Sequence, residues 1–401
     1  MDANIAQRAL PTFMVQAILA ALLPTLYVLS QIFLPLKGWY DQYSYIVGRD
    51  FSNFWMAGRL AVTGRSQVIY DLDAYARAMQ QVFSPDHPFM NFSYPPYALP
   101  LVAPLGYLPY SVALAGWIGA SLVALYYAAN AGQSAKGNMH WYGLLLLAPC
   151  VLFTLSIAQA TLLAAFLFVG GLRLTKSRPW LAGVLLGILA IKPHLGLLVA
   201  PVLLVRREWQ TIFAASGTVI ALAVLSVLLF GTGVWHDYVA VTIPYQRKVL
   251  EQPFGFVWIL MVAPYAWFMQ WGASVQVAYA LHACVALTVA VGTLWWAEKA
   301  LPADQNLSIA ILALGTMMIS PYGLVYDLVI PLAALFAYLL HSGLERSRRI
   351  EISLALFAAL PVILIWLNLQ GVYIGLPILF LAFLALIELV PRSELKVRRV
   401  P

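Results

Sequence analysis

The stretch GRDFSNFWMAGR, residues 48–59, sets Asp50 beside Arg49, with Arg59 further on and Phe51, Phe54 and Trp55 interleaved. A fixed carboxylate can take a proton from an attacking group. Guanidinium groups can grip an oxyanion, and flat rings offer broad apolar faces. A plainer reading fits the same residues: Asp50 N-caps a helix starting at Phe51, with Ser52 and Asn53 in the first turn. Other groups able to do chemistry stand at the ends of apolar runs. They are Tyr94 in FSYPP, Gln159 in SIAQATLL, Lys192 and His194 in AIKPHLGLL, Arg247 and Lys248 in PYQRK, and Tyr322, Tyr326 and Asp327 in SPYGLVYDL. Ionisable side chains in such places are costly, which makes them candidates for a site.

Each candidate has an ordinary alternative. Lys192 could snorkel to a membrane surface, Arg247 and Lys248 could belong to a solvated loop, and Tyr322 and Asp327 could cap the helix that follows. His236 and Asp237 form a further polar pair in a loop. Asp71 and Asp73 spell an Asp-x-Asp that can hold a divalent cation bridging a diphosphate, but capping of the helix after Tyr70 accounts for them. No GxSxG, HExxH, Cys-x-x-Cys, Walker loop or strand-bound GxGxxG is present. Neither a metal nor a cofactor is expected.

The elements that must hold these groups lie in lipid. With 62% hydrophobic and 10% charged residues and a mean hydropathy of +0.83, the chain falls far outside soluble composition. Its apolar runs are uniform, as in membrane helices, without the alternation of a membrane barrel. The expected fold is an all-α polytopic membrane domain covering residues 1–401, with about twelve spans. The spans are placed at 11–33, 110–130, 141–157, 160–173, 179–192, 194–205, 210–231, 274–296, 306–319, 324–341, 350–368 and 373–390. The first run, with one Arg before it and no cleavage pattern, is a retained span. This layout puts both termini and fifteen of the 23 Lys and Arg on one side, the cytoplasmic side by the positive-inside rule. A first outer loop, 34–96, then carries Asp50, and the helical stretch from Ala57 to Phe83 lies along the membrane surface. A second outer loop, 232–272, includes a re-entrant or interfacial helix at 256–272, broken by Pro264, with Trp258, Tyr265, Trp267 and Trp271 at headgroup level. Several middle spans are too short to cross unless tilted or broken. Cys150 and Cys284 are expected as small buried hydrophobes. The basic balance, pI about 9.3, suits anionic lipid rather than nucleic acid.

In chain order, GRDFSNFWMAGRLA after the first run, YD, FSYPP, a Gln between short spans, IKPH and SPYGLVYDL together resemble glycosyltransferase family 87 of the GT-C superfamily. One departure is SIAQ, which has Ala158 where Gly before the Gln is usual. The resemblance implies an inverting enzyme of the bacterial cytoplasmic membrane, active on the outer side, that uses a polyprenyl-phosphate hexose donor. Mannose is the first candidate sugar, and the acceptor is a lipid-linked or surface glycan. It implies Asp50 as general base and Lys192, His194, Arg247, Lys248, Arg49 and Arg59 toward the donor phosphate. Phe51, Trp55, Tyr94, Gln159, Tyr322, Tyr326 and Asp327 would contact sugar or acceptor, or support the site. Asp50, Lys192 and Asp327 should then line one cavity in a monomer. A secondary transporter or lipid flippase is the alternative, but the halves show no repeat and the polar groups crowd one face instead of the midplane. A non-catalytic assembly factor would leave the three groups dispersed.

Overall fold

The computed structural model describes residues 12–35, 38–130, 139–252, 256–341, 360–361 and 363–391. Both termini, the basic loop around Arg346 and most of the expected span 350–368 lie outside the described residues. Within them every regular element is helical. Three helices, Tyr110–Asn130, Trp209–Phe230 and Val275–Ala300, are long and apolar enough to cross a membrane. Other helices of the bundle are shorter: Thr161–Leu174 and Gln305–Ile319 match the short spans expected there to within a residue, and Pro179–Leu189 stops before the expected 192. Fourteen residues of helix rise only about 21 Å. The short pieces end where the chain turns to form the site.

Local sequence sets these ends. Pro149 and Pro179 occupy first-turn positions where no N–H is needed. Asp304 caps Gln305–Ile319 by accepting from the N–H groups of Asn306 and Leu307. The bundle packs through small residues. Gly183 and Gly187 are four apart on Pro179–Leu189, and a Cβ at either would collide with Ala214 or Thr218 of Trp209–Phe230. That spacing lets two membrane helices touch backbone to backbone. Trp209–Phe230 turns Ile220, Val224 and Leu228 outward, as a helix facing lipid does.

The helices alternate between two ends. One end ties basic groups to partners: Arg206 Nε lies 2.7 Å from Glu298 Oε1, Lys176 Nζ 2.7 Å from Glu208 Oε1, and Arg173 Nε donates to Asn306 Oδ1. The opposite end gathers 94, 157–161, 192–194 and 322–327.

Over that second end sits the segment 38–107, which has an apolar core of its own built from Phe51, Phe54, Tyr70, Tyr75, Phe92 and Leu99. The helical stretch expected from Ala57 to Phe83 is two helices, Arg49–Val62 and Leu72–Val82, parted at Gly64, where φ is +74°. Asp71 caps the second, its carboxylate accepting from Ala74 N at 2.9 Å. Gly58 and Gly106 meet backbone to backbone, with space for no Cβ on either.

The stretch 256–272 is also two short helices, Phe256–Leu260 and Pro264–Gln270. Between them Val262 N donates to Gly323 O at 3.0 Å. Trp258 and Tyr265 are buried: the Trp258 indole donates to Val249 O, and the Tyr265 ring lies 4.6 Å from the Tyr279 ring. Trp271 is exposed. Of the two cysteines, Cys150 is buried and Cys284 exposed.

Candidate active site

A cavity of about 490 Å³ opens between segment 38–107 and the bundle end. Asp50 reaches it because of the turn before it. Gly48 holds φ +79° as the N-cap of Arg49–Val62, and a Cβ there would lie 2.8 Å from Leu114. Asp50 therefore sits in the first turn instead of capping. Its N–H donates to Ile157 O at 3.0 Å, and its carboxylate Oδ2 accepts from Gln159 Nε2 at 2.6 Å. Gln159 is itself oriented: its Oε1 accepts from Tyr94 OH at 3.1 Å and from Ala160 N at 2.7 Å. Tyr94, Gln159 and Asp50 thus form one hydrogen-bonded chain along the cavity.

Ala158 explains how this turn survives without glycine. Its φ is +50°, the left-handed conformation that a Gly would take freely, and its carbonyl is held by the Trp117 indole at 2.9 Å. The methyl group makes that conformation roughly 1–2 kcal/mol less favourable. Burial in the apolar core beneath Asp50 offsets part of this.

The cation side of the cavity is equally fixed. Lys192 lies just past Pro179–Leu189, its ammonium 3.2 Å from Asp327 Oδ1 and donating to Thr161 Oγ1 at 2.8 Å. Thr161 in turn donates to Asp327 Oδ1 at 3.0 Å. His194 Nε2 stands 3.5 Å from Asp327 Oδ2. Lys192 also lies over the Tyr326 ring, 5.0 Å from its centroid. Burial is the main influence on Asp50 and raises its carboxyl to about 6; the Lys192 charge, the Gln159 hydrogen bond and Arg49 pull the other way. A carboxyl poised there is ionised at neutral pH yet still able to accept a proton. Burial, reinforced by the charges of Asp50 and Asp327, keeps the Tyr94 phenol protonated well above its usual range. Burial likewise pushes Tyr322 up to about 12.

Of the residues singled out from sequence, Arg49, Asp50, Tyr94, Gln159, Lys192, His194, Tyr322 and Tyr326 line the cavity. Asp327 does not; it is fully buried behind Lys192 as its counter-ion. Phe51 and Trp55 face the loop core instead: Phe51 packs on Tyr110 and Trp117, and the Trp55 indole donates to Leu108 O. Arg59 donates to Gly106 O at 3.2 Å, reinforcing the glycine contact. Arg247 and Lys248 lie on the outward face of the helix Ile243–Glu251, where Arg247 pairs with Glu251. Arg49 lines the cavity with its guanidinium already engaged by Asp41 Oδ2, by Ile32 O and by the rings of Phe33 and Tyr45.

Three contributors had no sequence signal strong enough to single them out. Thr161 is an ordinary residue in an apolar helix until Lys192 and Asp327 close on it. Gln246 and Ser93, bonded to one another at 2.8 Å, lie beside the more conspicuous Arg247 and Tyr94.

Among the described residues no three His, Cys, Asp or Glu side chains cluster as a metal site would require. No match was found among curated proteins or among solved structures. The family model for glycosyltransferase family 87 matches residues 92–321, which include Tyr94, Gln159, Lys192 and His194 but not Asp50, Tyr322, Tyr326 or Asp327. That match spans more than half of the chain, with the cation side and the oriented Gln159 inside it, and the protein is a member of glycosyltransferase family 87 with membrane-type apolar helices.

Proposed function

We propose that the protein is an inverting hexosyltransferase that takes its sugar from a polyprenyl-phosphate donor and passes it to a lipid-linked or surface-glycan acceptor. The observation that carries this reading is the pairing of Asp50 and Lys192 across one cavity, the first held by Gln159 and the second by Asp327 and Thr161. A single displacement needs both. The acceptor oxygen attacks the anomeric carbon as its proton passes to Asp50. The bond from that carbon to the phosphate oxygen breaks, and the electron pair leaves on lipid phosphate, whose growing charge Lys192 and His194 offset. Phe33, Val257 and Leu260 give the cavity an apolar side suited to a prenyl chain. Arg247 and Lys248 would contribute through headgroups outside the cavity rather than by direct contact.

The same reading places the cavity on the outer side of a bacterial cytoplasmic membrane, because the opposite end of the bundle carries Arg173, Lys176 and Arg206. A transporter would need a path through the bilayer between the two ends; the described cavity stays at one of them. Mannose is the first sugar to test. The deciding experiment supplies the purified chain with mannosyl-phosphoryl-polyprenol or with a sugar nucleotide, with and without chelator. Transfer from the lipid donor alone, indifferent to chelator, supports the proposal, and transfer from the nucleotide alone overturns it.

A further inference from the structure

Opposite the charged groups, the cavity has a second wall made of neutral polar side chains. Gln246, half-buried on the helix Ile243–Glu251, is held at both ends of its amide. Its Nε2 donates to Ser93 Oγ at 2.8 Å, and its Oε1 accepts from Tyr322 OH at 3.3 Å. Ser93 Oγ also accepts from Asn91 Nδ2 at 3.2 Å. All four residues line the cavity. After these bonds are made, the amide keeps one N–H and one carbonyl lone pair, and Ser93 keeps its hydroxyl proton. These are unspent donors and acceptors in fixed directions, with no charge among them. Tyr245 and Tyr322 add flat rings beside them.

The wall bridges the two halves of the reaction. At one end the Tyr322 ring lies 6.5 Å from the His194 ring, next to the phosphate side. At the other, Ser93 precedes Tyr94, which is bonded to the Gln159 that holds Asp50. A group lying between phosphate and base in a displacement is the sugar being transferred. Hexoses differ from one another in the directions of neighbouring hydroxyls. An amide that cannot rotate, offering one donor and one acceptor side by side, matches a single arrangement of two adjacent hydroxyls.

Resting on the transfer reaction above, we propose that Gln246, clamped between Ser93 and Tyr322, is the residue that selects which hexose the enzyme transfers. A site built to bond a hydroxyl rejects a sugar that presents it wrongly, because its own buried polar groups are then left unpaired.

The test uses the full chain in detergent and two readouts. The first is kcat/KM for phytanyl-phosphate mannose, glucose and galactose. The wild-type chain should favour one epimer by at least ~10-fold, and Gln246→Ala should narrow the preference to below ~3-fold, chiefly by losing the favoured sugar. Gln246→Glu keeps the shape and the bond from Tyr322 but removes both N–H donors, so it should lose the preference as well. The second readout is thermal stabilisation by octyl mannoside, glucoside and galactoside, which needs no donor phosphate. The wild-type chain should be stabilised unequally by the three and Gln246→Ala equally. An epimer preference that survives both substitutions overturns the proposal, as does a uniform loss across all three sugars. If no phytanyl-phosphate hexose is used but the octyl hexosides are discriminated through Gln246, the donor reading falls and the sugar site stands. If the octyl hexosides are not discriminated, the sugar site falls.

Discussion

Replacing Asp50 with Asn separates two quantities that usually fall together. The carboxyl rises from 3.8 to about 6 on folding, so the folded chain prefers it protonated. At about 1.4 kcal/mol per unit, holding the anion in place costs at most about 3 kcal/mol above pH 6, and nothing below pH 3.8. Between those values the unfolded chain binds fewer protons than the folded one, so wild-type stability falls as pH rises. Asn carries no charge and its Oδ1 can still accept from Gln159 Nε2. Asp50→Asn should therefore unfold at higher temperature than wild type at pH 7.5, by up to about 3 kcal/mol, and the gap should close toward pH 4. Turnover should drop by roughly 10²–10⁴, the usual contribution of a positioned base. Wild-type kcat/KM should show an acid limb near pH 6, with activity lost below it, and the variant should lack that limb. The assays are thermal unfolding in detergent across pH 4–8 and transfer from a lipid-linked donor. A variant less stable than wild type at pH 7.5, or one that keeps wild-type turnover, would refute the reasoning.

Lys192→Met should destabilise by about 3 kcal/mol because Asp327 is left buried without its cation; adding Asp327→Asn should restore melting temperature but not transfer. Lys192 also holds the Asp50 carboxyl down, so the residual activity of Lys192→Met should have its acid limb above pH 6, and an unmoved limb would show that the two charges do not communicate. Gly58→Ala would place a Cβ 2.3 Å from Val102 O; it should cost about 3 kcal/mol or more and detach segment 38–107, seen as faster proteolysis within 49–107 while the bundle stays intact. Single cysteines at Gln67 and Ser177, both exposed, should react with an impermeant thiol reagent in intact cells only at the first, and labelling at Ser177 alone would invert the proposed sidedness.

How far the sequence carried the structure depended on the kind of signal. Asp50, Gln159, Lys192 and His194 stood out because polar groups are rare at the ends of apolar helices, and all four reach the cavity. Phe51, Trp55 and Arg59 share a motif with Asp50, but a helix spreads its side chains around every face, and only the long-range packing of Tyr110, Trp117 and Gly106 decides which ones point away. Arg247 and Lys248 drew attention by charge, whereas helix phase turned the neutral Gln246 to the cavity and left the charges outside. Pro264 was legible as a break. The burial of Tyr265 was not, because it depends on Tyr279 of a later helix. Ala158 in place of Gly suggested a change of backbone, yet the left-handed turn is retained, since Trp117 and the Asp50–Ile157 hydrogen bond hold it.

Arg49 has one further consequence. It is bonded to Ile32 O at the end of the helix Thr12–Phe33 and caged by Phe33, and it immediately precedes Asp50. The Asp50 carboxylate is therefore surveyed from the first helix, while the Lys192 ammonium is surveyed from the bundle through Asp327. Two separate reference frames meet across the cavity, and a tilt of the first helix alone would change the gap between them. Hydrophobic mismatch is one influence on the tilt of an apolar helix, so under the proposed reaction a detergent micelle and a thick membrane are expected to give different rates.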